Sequence, residues 1–315
     1  MKFLELKNHI SQKKLVPCYF VTGDDSFVMK KAEQMFISLC GSFVQLNFTR
    51  FADKTPASEI VNALNSIPML AEYRVVVVEN YSLKVDEIKK YLLSPSPSAV
   101  LVFVGPMSSN FSALVKEIEV VDCSRLEPSY LMNWAGAKLT KAGCPTTKEA
   151  MTKLVEYCSR DMNRINGETD KLIAYACGKP VTEETIESLI APDLEFKVYE
   201  LTDAIAYKNS AKAVAIVEKM LEENGAQGRV FGLIYNHFRR LLHIALNPNE
   251  TNLATLLKVQ PYAITTAKKQ VSKFTIKRLK AIVDKLDDID FTLKTNSSYA
   301  KTVISAFVCE TILVG

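Results

Sequence analysis

The sequence predicts an α/β N-terminal domain built on a parallel sheet, followed by two all-α domains. Three observations carry this reading. Short apolar runs rich in β-branched residues recur through the first third of the chain, as in RVVVVE (74–79) and AVLVFVG (99–105). Helix-period patterns lie between those runs. After about residue 125 the strand signals stop, and amphipathic helical stretches fill the remainder. Near-continuous apolar strands belong to sheets covered on both faces, which is how parallel sheets are built.

Taken in order, the candidate strands are PCYFVT (17–22), VQLNFTRF (44–51), RVVVVE (74–79), AVLVFVG (99–105) and EVVDC (119–123). Helical patterns occupy the intervals around 25–40, 57–66, 84–93 and 108–117. The second region opens at PSYLMNWAGAKLTKAG, with Ser129 read as the N-cap and Gly143 as the stop. TKEAMTKLVEYCS and DMNRINGETDKLIAYACG repeat apolar residues at three- and four-residue spacing. GKPVTEETIESLI then starts with a capping-box-like Thr182-x-x-Thr185. From about residue 197 every segment reads as an amphipathic helix, separated by Gly, Pro, Asn or Ser. The last, YAKTVISAFVCETILV, is apolar on most faces and is expected to be buried against its own domain or a partner. The division expected is 1–126, 127–196 and 197–315.

The 315 residues are 48% hydrophobic and 23% charged, which gives material for several cores and excludes a disordered chain. No run approaches the roughly 18 apolar residues of a membrane span. MKFLELKNHI lacks the apolar segment of a secretory signal. A soluble cytoplasmic protein with no membrane association is expected. The seven cysteines contain no C-x-x-C pair, which argues for buried thiols in a reducing compartment over disulfides or zinc. His237 and His243 share a helical stretch without acidic or thiol ligands, so no metal site is expected. A net charge of +4 is too mild to define a nucleic-acid binder. It is concentrated, however, in KKQVSKFTIKRLK (268–280).

The stretch CYFVTGDDSFVMKK (18–31) ends a strand in Gly23 and begins a helix, where a phosphate-binding loop would lie. Such a loop needs a second glycine and a Gly-Lys-Ser/Thr ending, and neither occurs here. Asp24 and Asp25 place negative charge at the helix N-terminus, where they complement the helix dipole and oppose a phosphate. Helix capping is the reading of Asp24, Asp25 or Ser26. Glu79, at the end of VVVVEN, has the position of a magnesium-holding acid but lacks a nucleotide to serve. Arg125 is read as a solvated surface residue rather than an arginine finger. No catalytic residue and no cofactor are expected.

The ordered set CYFVTGDDSFVMKKA, SIPMLAEYRVVVVEN, Trp134, INGETDKLIAYACGKPVTEETIESLI, FKVYELTDAIAYKNSAKAV, FGLIYNHFRRLL and PYAITTAKKQVSKFTIKRLKAIVDKLDDIDFTLKT resembles the delta subunits of bacterial DNA polymerase III, across essentially the whole chain. That resemblance implies a degenerate AAA+ domain (1–126), a helical lid (127–196) and a helical oligomerisation collar (197–315). It implies a non-catalytic clamp-loader subunit that binds no ATP and opens the sliding clamp for loading onto primed DNA. Its partners would be the clamp (beta subunit), loader subunits of the gamma/tau and delta-prime type, and DNA within the complex. The family's apolar clamp plug matches Met69 and Leu70, with Ile67 and Pro68 beside them. A Met–Leu pair departs from Phe-containing plugs but keeps the volume and apolarity.

By pattern alone, Met69 and Leu70 fit core packing as well as an exposed contact. Lys30, Lys31, Lys268, Lys269 and Lys273 fit a solvated helix face, an acidic partner surface or a DNA backbone. The competing functional reading is a nucleotide-dependent α/β hydrolase with an atypical phosphate site. It requires saturable, magnesium-dependent ATP binding.

Overall fold

The apolar runs of the first third form one five-stranded sheet: β1 (Cys18–Thr22), β2 (Phe48–Phe51), β3 (Arg74–Glu79), β4 (Ala99–Val104) and β5 (Glu119–Asp122). The strand order is β2-β3-β4-β1-β5, and every pairing is parallel. Val75 to Val78 of β3 are all buried, as expected of a strand covered on both faces. This computed structural model describes the chain except for residues 83–84, 108–110, 112–115, 223–224, 251, 258, 260, 296–298 and 314–315. The helix predicted around 108–117 falls largely outside the described residues.

The helices of this first unit are α1 (Phe3–Ser11), α2 (Ser26–Ile37), α3 (Val44–Asn47), α4 (Ala57–Asn65) and α5 (Asp86–Leu92), then α6 (Pro128–Lys141), α7 (Lys148–Tyr157), α8 (Met162–Ala176) and α9 (Glu183–Leu189). Two expectations are corrected. VQLN, predicted as the start of a strand, is the single helical turn α3. The Asn47 amide donates to the Phe43 carbonyl four residues back, at 3.0 Å, and so closes the turn before the strand begins. Ser129 is not an N-cap, because α6 starts at Pro128, whose fixed φ suits the first helical position. The Thr182–Thr185 capping box is present: each hydroxyl accepts from the other residue's N–H, at 3.2 and 3.3 Å. Gly143 follows α6 with a φ of +78°, as its reading as a stop requires.

The chain forms two compact units, Met1–Leu189 and Ile190–Gly315. The second is entirely helical among its described residues: α10 (Leu194–Ala206), α11 (Ser210–Met220), α12 (Gln227–Leu246), α13 (Leu253–Leu256), α14 (Pro261–Val271), α15 (Ile276–Thr295) and α16 (Ala300–Leu313). Ile304, Phe307, Val308 and Ile312 of α16 join Phe238, Leu241 and Leu286 in that unit's own core. A polar chain leads from it to the half-exposed Asp203. His237 pairs with the Gln270 side chain at 3.0 Å, and the Gln270 amide donates to Asp203 at 2.5 Å. Burial, helped by the nearby Arg240 charge, holds the His237 imidazole down at a pKa of about 3. No described helix is long and apolar enough to cross a membrane.

Candidate functional site

The end of the sheet where β1 finishes is closed. A Cβ on Gly23 would lie 2.2 Å from the Cys123 carbonyl carbon, so only glycine allows this approach. The Asp25 N–H donates to the Cys123 carbonyl at 3.3 Å. Asp25 caps α2, and its Oδ1 accepts from the Phe27 and Val28 amides at 3.0 and 3.1 Å. These are first-turn amides of the kind a phosphate would take at a helix N-terminus. Burial pushes the Asp25 carboxyl above its ordinary range, against the pull of the Val28 amide, and the Asp161 charge adds to the rise. Asp24 accepts from the Arg125 N–H at 3.0 Å, and the Arg125 guanidinium donates to the Ser159 carbonyl at 3.0 Å. Arg125 is thus a bonded tie rather than the solvated residue expected. Asn163 of α8 donates to Ser26 at 2.7 Å, and Trp134 of α6 meets the edge of Phe27. Glu79 is engaged by Arg50, which also binds the buried Glu33.

The end of the sheet where β3 begins is different. Between α4 and β3 the chain exposes Ile67, Met69 and Leu70, at 85%, 58% and 76% of their surface. Pro68 between them is half-buried. These side chains are not core. The backbone beneath them is nonetheless bonded. The Met69 N–H donates to Asn47 Oδ1 at 2.7 Å, and Asn47 Nδ2 donates to the Met69 carbonyl at 2.8 Å. Asn47 is itself fully buried. Leu70 has a φ of +56°, in the left-handed region that a leucine seldom adopts. Glu72 pairs with Lys13 at 2.7 Å on the surface. Phe43, just before α3, and Leu46 within it are also exposed.

The five lysines fall into two groups. Lys30 and Lys31 are exposed on α2, and Lys268 and Lys269 on α14. Lys273 is held in an ion pair with Asp203 at 2.9 Å and lies over the Tyr207 ring. In the same basic stretch, Arg278 donates inward to the Ile205 carbonyl at 3.1 Å. The sequence reading did not single out Asn47. Its signal is weak: one asparagine, a poor strand former, inside an otherwise strand-like run. Among the described residues no cluster of three metal-ligating side chains occurs. Five of the seven cysteines are buried, all are free, and Cys177 and Cys309 are exposed.

Two family models match the chain: "DNA polymerase III, delta subunit" over residues 19–124, and "DNA polymerase III delta subunit, C-terminal domain" over residues 195–311. The chain is 22% identical to the DNA polymerase III subunit delta of Bacillus subtilis, covering 82% of this chain and 81% of the relative. It is also 22% identical to the subunit of that name from Buchnera aphidicola, covering 70% and 69%. The structure of the Bacillus subtilis DNA clamp loader delta protein superposes with a TM-score of 0.70 at 19% identity, covering 99% of each chain.

Proposed function

Because the chain belongs to the DNA polymerase III delta subunit family, we propose that it is a non-catalytic subunit of the replicative clamp loader. In this reading it binds the sliding clamp and helps to open it for loading onto primed DNA. The observation that supports the clamp contact most is the exposed Met69–Leu70 pair. Exposed apolar side chains clustered at a loop tip mark a docking site, because water gives them no favourable environment. Two such side chains entering a dry pocket supply a hot spot.

Nucleotide binding and hydrolysis are left to other loader subunits. The Phe27 and Val28 amides already serve Asp25, and Gly23 is packed on Cys123, which supports a loop with no room for phosphates. The proposed division of labour follows the expected domains. Residues 1–126 carry the clamp contact, 127–196 form a lid, and 197–315 join the gamma/tau and delta-prime type subunits. Lys30, Lys31, Lys268 and Lys269 are exposed to DNA or an acidic partner, although Lys31 also donates to Gln34 at 3.2 Å, whereas Lys273 must first leave Asp203. The working compartment is the cytoplasm.

The test is Met69→Ala with Leu70→Ala, measured against the purified clamp by surface plasmon resonance and by thermal melting of the free chain. Loss of the buried apolar surface is expected to cost about 2–4 kcal/mol, roughly 30- to 1000-fold in affinity. The melting temperature should not move, because both side chains lie outside the core. Unchanged affinity would overturn the clamp contact. Saturable, magnesium-dependent ATP binding by the isolated chain would favour the hydrolase reading instead.

A further inference from the structure

We propose that Asn47 is a positioning residue for the clamp contact. It locks the backbone of Met69 so that the Met69–Leu70 pair is presented in its binding shape before the clamp arrives. The proposal rests on the clamp reading of that pair.

Three observations carry it. First, the Asn47 amide uses its acceptor and both donors on two backbone sites. It accepts from the Met69 N–H and donates to the Met69 and Phe43 carbonyls, at 2.7, 2.8 and 3.0 Å. The exchange with Met69 is the two-way pairing that a neighbouring strand would offer a backbone residue. Here one side chain offers it, 22 residues away in the sequence. Second, Leu70 follows at once with a φ of +56°. An L-residue leaves that region unless its surroundings over-determine it. The bonded residue just before it is such a restraint. Third, Asn47 is 0% exposed, so it cannot itself touch a partner. Any effect it has on binding passes through the loop.

The physical benefit is a lower ordering cost. A free eight-residue connection between α4 and β3 would sample many shapes, including ones that fold Met69 and Leu70 inward to hide them from water. Fixing the backbone in advance removes that cost from binding. It also keeps two apolar side chains exposed that would otherwise collapse.

The test combines amide exchange with a double-mutant cycle. In the wild-type chain the Met69 amide should exchange slowly despite its place at an exposed tip. Asn47→Ala should speed that exchange and weaken clamp binding roughly ten-fold at a temperature where both chains are folded. In the Met69→Ala/Leu70→Ala background the same substitution should change affinity by less than about two-fold, because there is no longer a pair to position. Equal losses in both backgrounds, or no loss in the wild-type background, would overturn the proposal. If Met69→Ala/Leu70→Ala leaves clamp affinity unchanged, the clamp reading fails and the proposal with it; faster Met69 exchange in Asn47→Ala would then mark a lock without that partner. If Asn47→Ala does not fold, wild-type exchange decides, and a Met69 amide exchanging as fast as an open peptide would overturn the lock.

Discussion

The two ends of the parallel sheet are treated in opposite ways. Where β1 ends, polar groups are spent on closure: Asp25 caps α2, Asp24 holds Arg125, and the Gly23 backbone is packed against Cys123. Where β3 begins, the polar group Asn47 is buried, and its work is to hold apolar residues outward. Both loops are tied down by side-chain hydrogen bonds, but one hides its amides and the other displays its side chains. The difference teaches that the two ends of one parallel sheet can be finished in opposite ways, one with its helix N-terminus satisfied internally and the other with apolar side chains displayed. Parallel strands make this possible, because the loops after β1 and before β3 lie at opposite ends.

The largest expected effect is at the closed end. Gly23→Ala would set a Cβ 2.2 Å from backbone at Cys123, and backbone cannot rotate away as a side chain can. A loss on the order of 3 kcal/mol or more is expected from chemical denaturation of the chain. Stability within about 1 kcal/mol of wild type would mean that the approach of the two loops is looser than described.

A second effect comes from acid and separates the closed end from the helical unit. The His237 pKa is depressed in the folded state, to about 3, from an ordinary value of 6.5. Its contribution is therefore present above 6.5 and is lost as pH falls through the window below it. At pH 5 the loss should be about 2 kcal/mol. His237→Gln should flatten that dependence, as read by melting at pH 7 and pH 5. Asp25 has the opposite sign. Its folded pKa is raised, so the native state binds the proton more tightly, and stability falls as pH rises from the ordinary Asp value through the folded one. Asp25→Asn keeps an acceptor for the cap and should remove this decline. Acid unfolding should accordingly begin in residues 190–315. Onset in residues 1–189 would break the contrast.

A smaller effect belongs to the cap itself. Asp25→Ala should cost about 1–2 kcal/mol in denaturation midpoint measurements, because two first-turn amides lose their acceptor. The smallest is at the open end. Lys13 and Glu72 are both largely exposed, and solvent and salt screen such a pair. Lys13→Ala should leave melting temperature unchanged and clamp affinity within about two-fold. A larger change would assign the loop's shape to this ion pair and take it from Asn47.

Much of the first unit was legible in the sequence. β3 was read to the residue, and the other apolar runs to within a residue or so, except at VQLN. There Val44, Leu46 and Phe48 alternate as a strand would, and the pattern hid a turn that one asparagine closes. The glycine at 23 was read correctly as a loop residue, but the reason for it comes from Cys123, a hundred residues away. The exposure of Met69 and Leu70 could not be read from the pattern. Ile-Pro-Met-Leu before a buried strand suits a core as well as a surface, and only the resemblance favoured the surface. The Asn47 lock and the His237–Gln270 pair join residues far apart in sequence, and local periodicity carries no trace of them.

The most direct measurement is a photo-cross-link that leaves the pair itself intact. A benzophenone amino acid at position 67, replacing the most exposed large apolar residue of the β3-side loop, should cross-link to the sliding clamp on illumination. The same group at position 31, on α2 beside the closed end, should not. Cross-linking to the clamp from position 31 with none from position 67 would contradict the assignment of the open end of the sheet as the clamp-binding end.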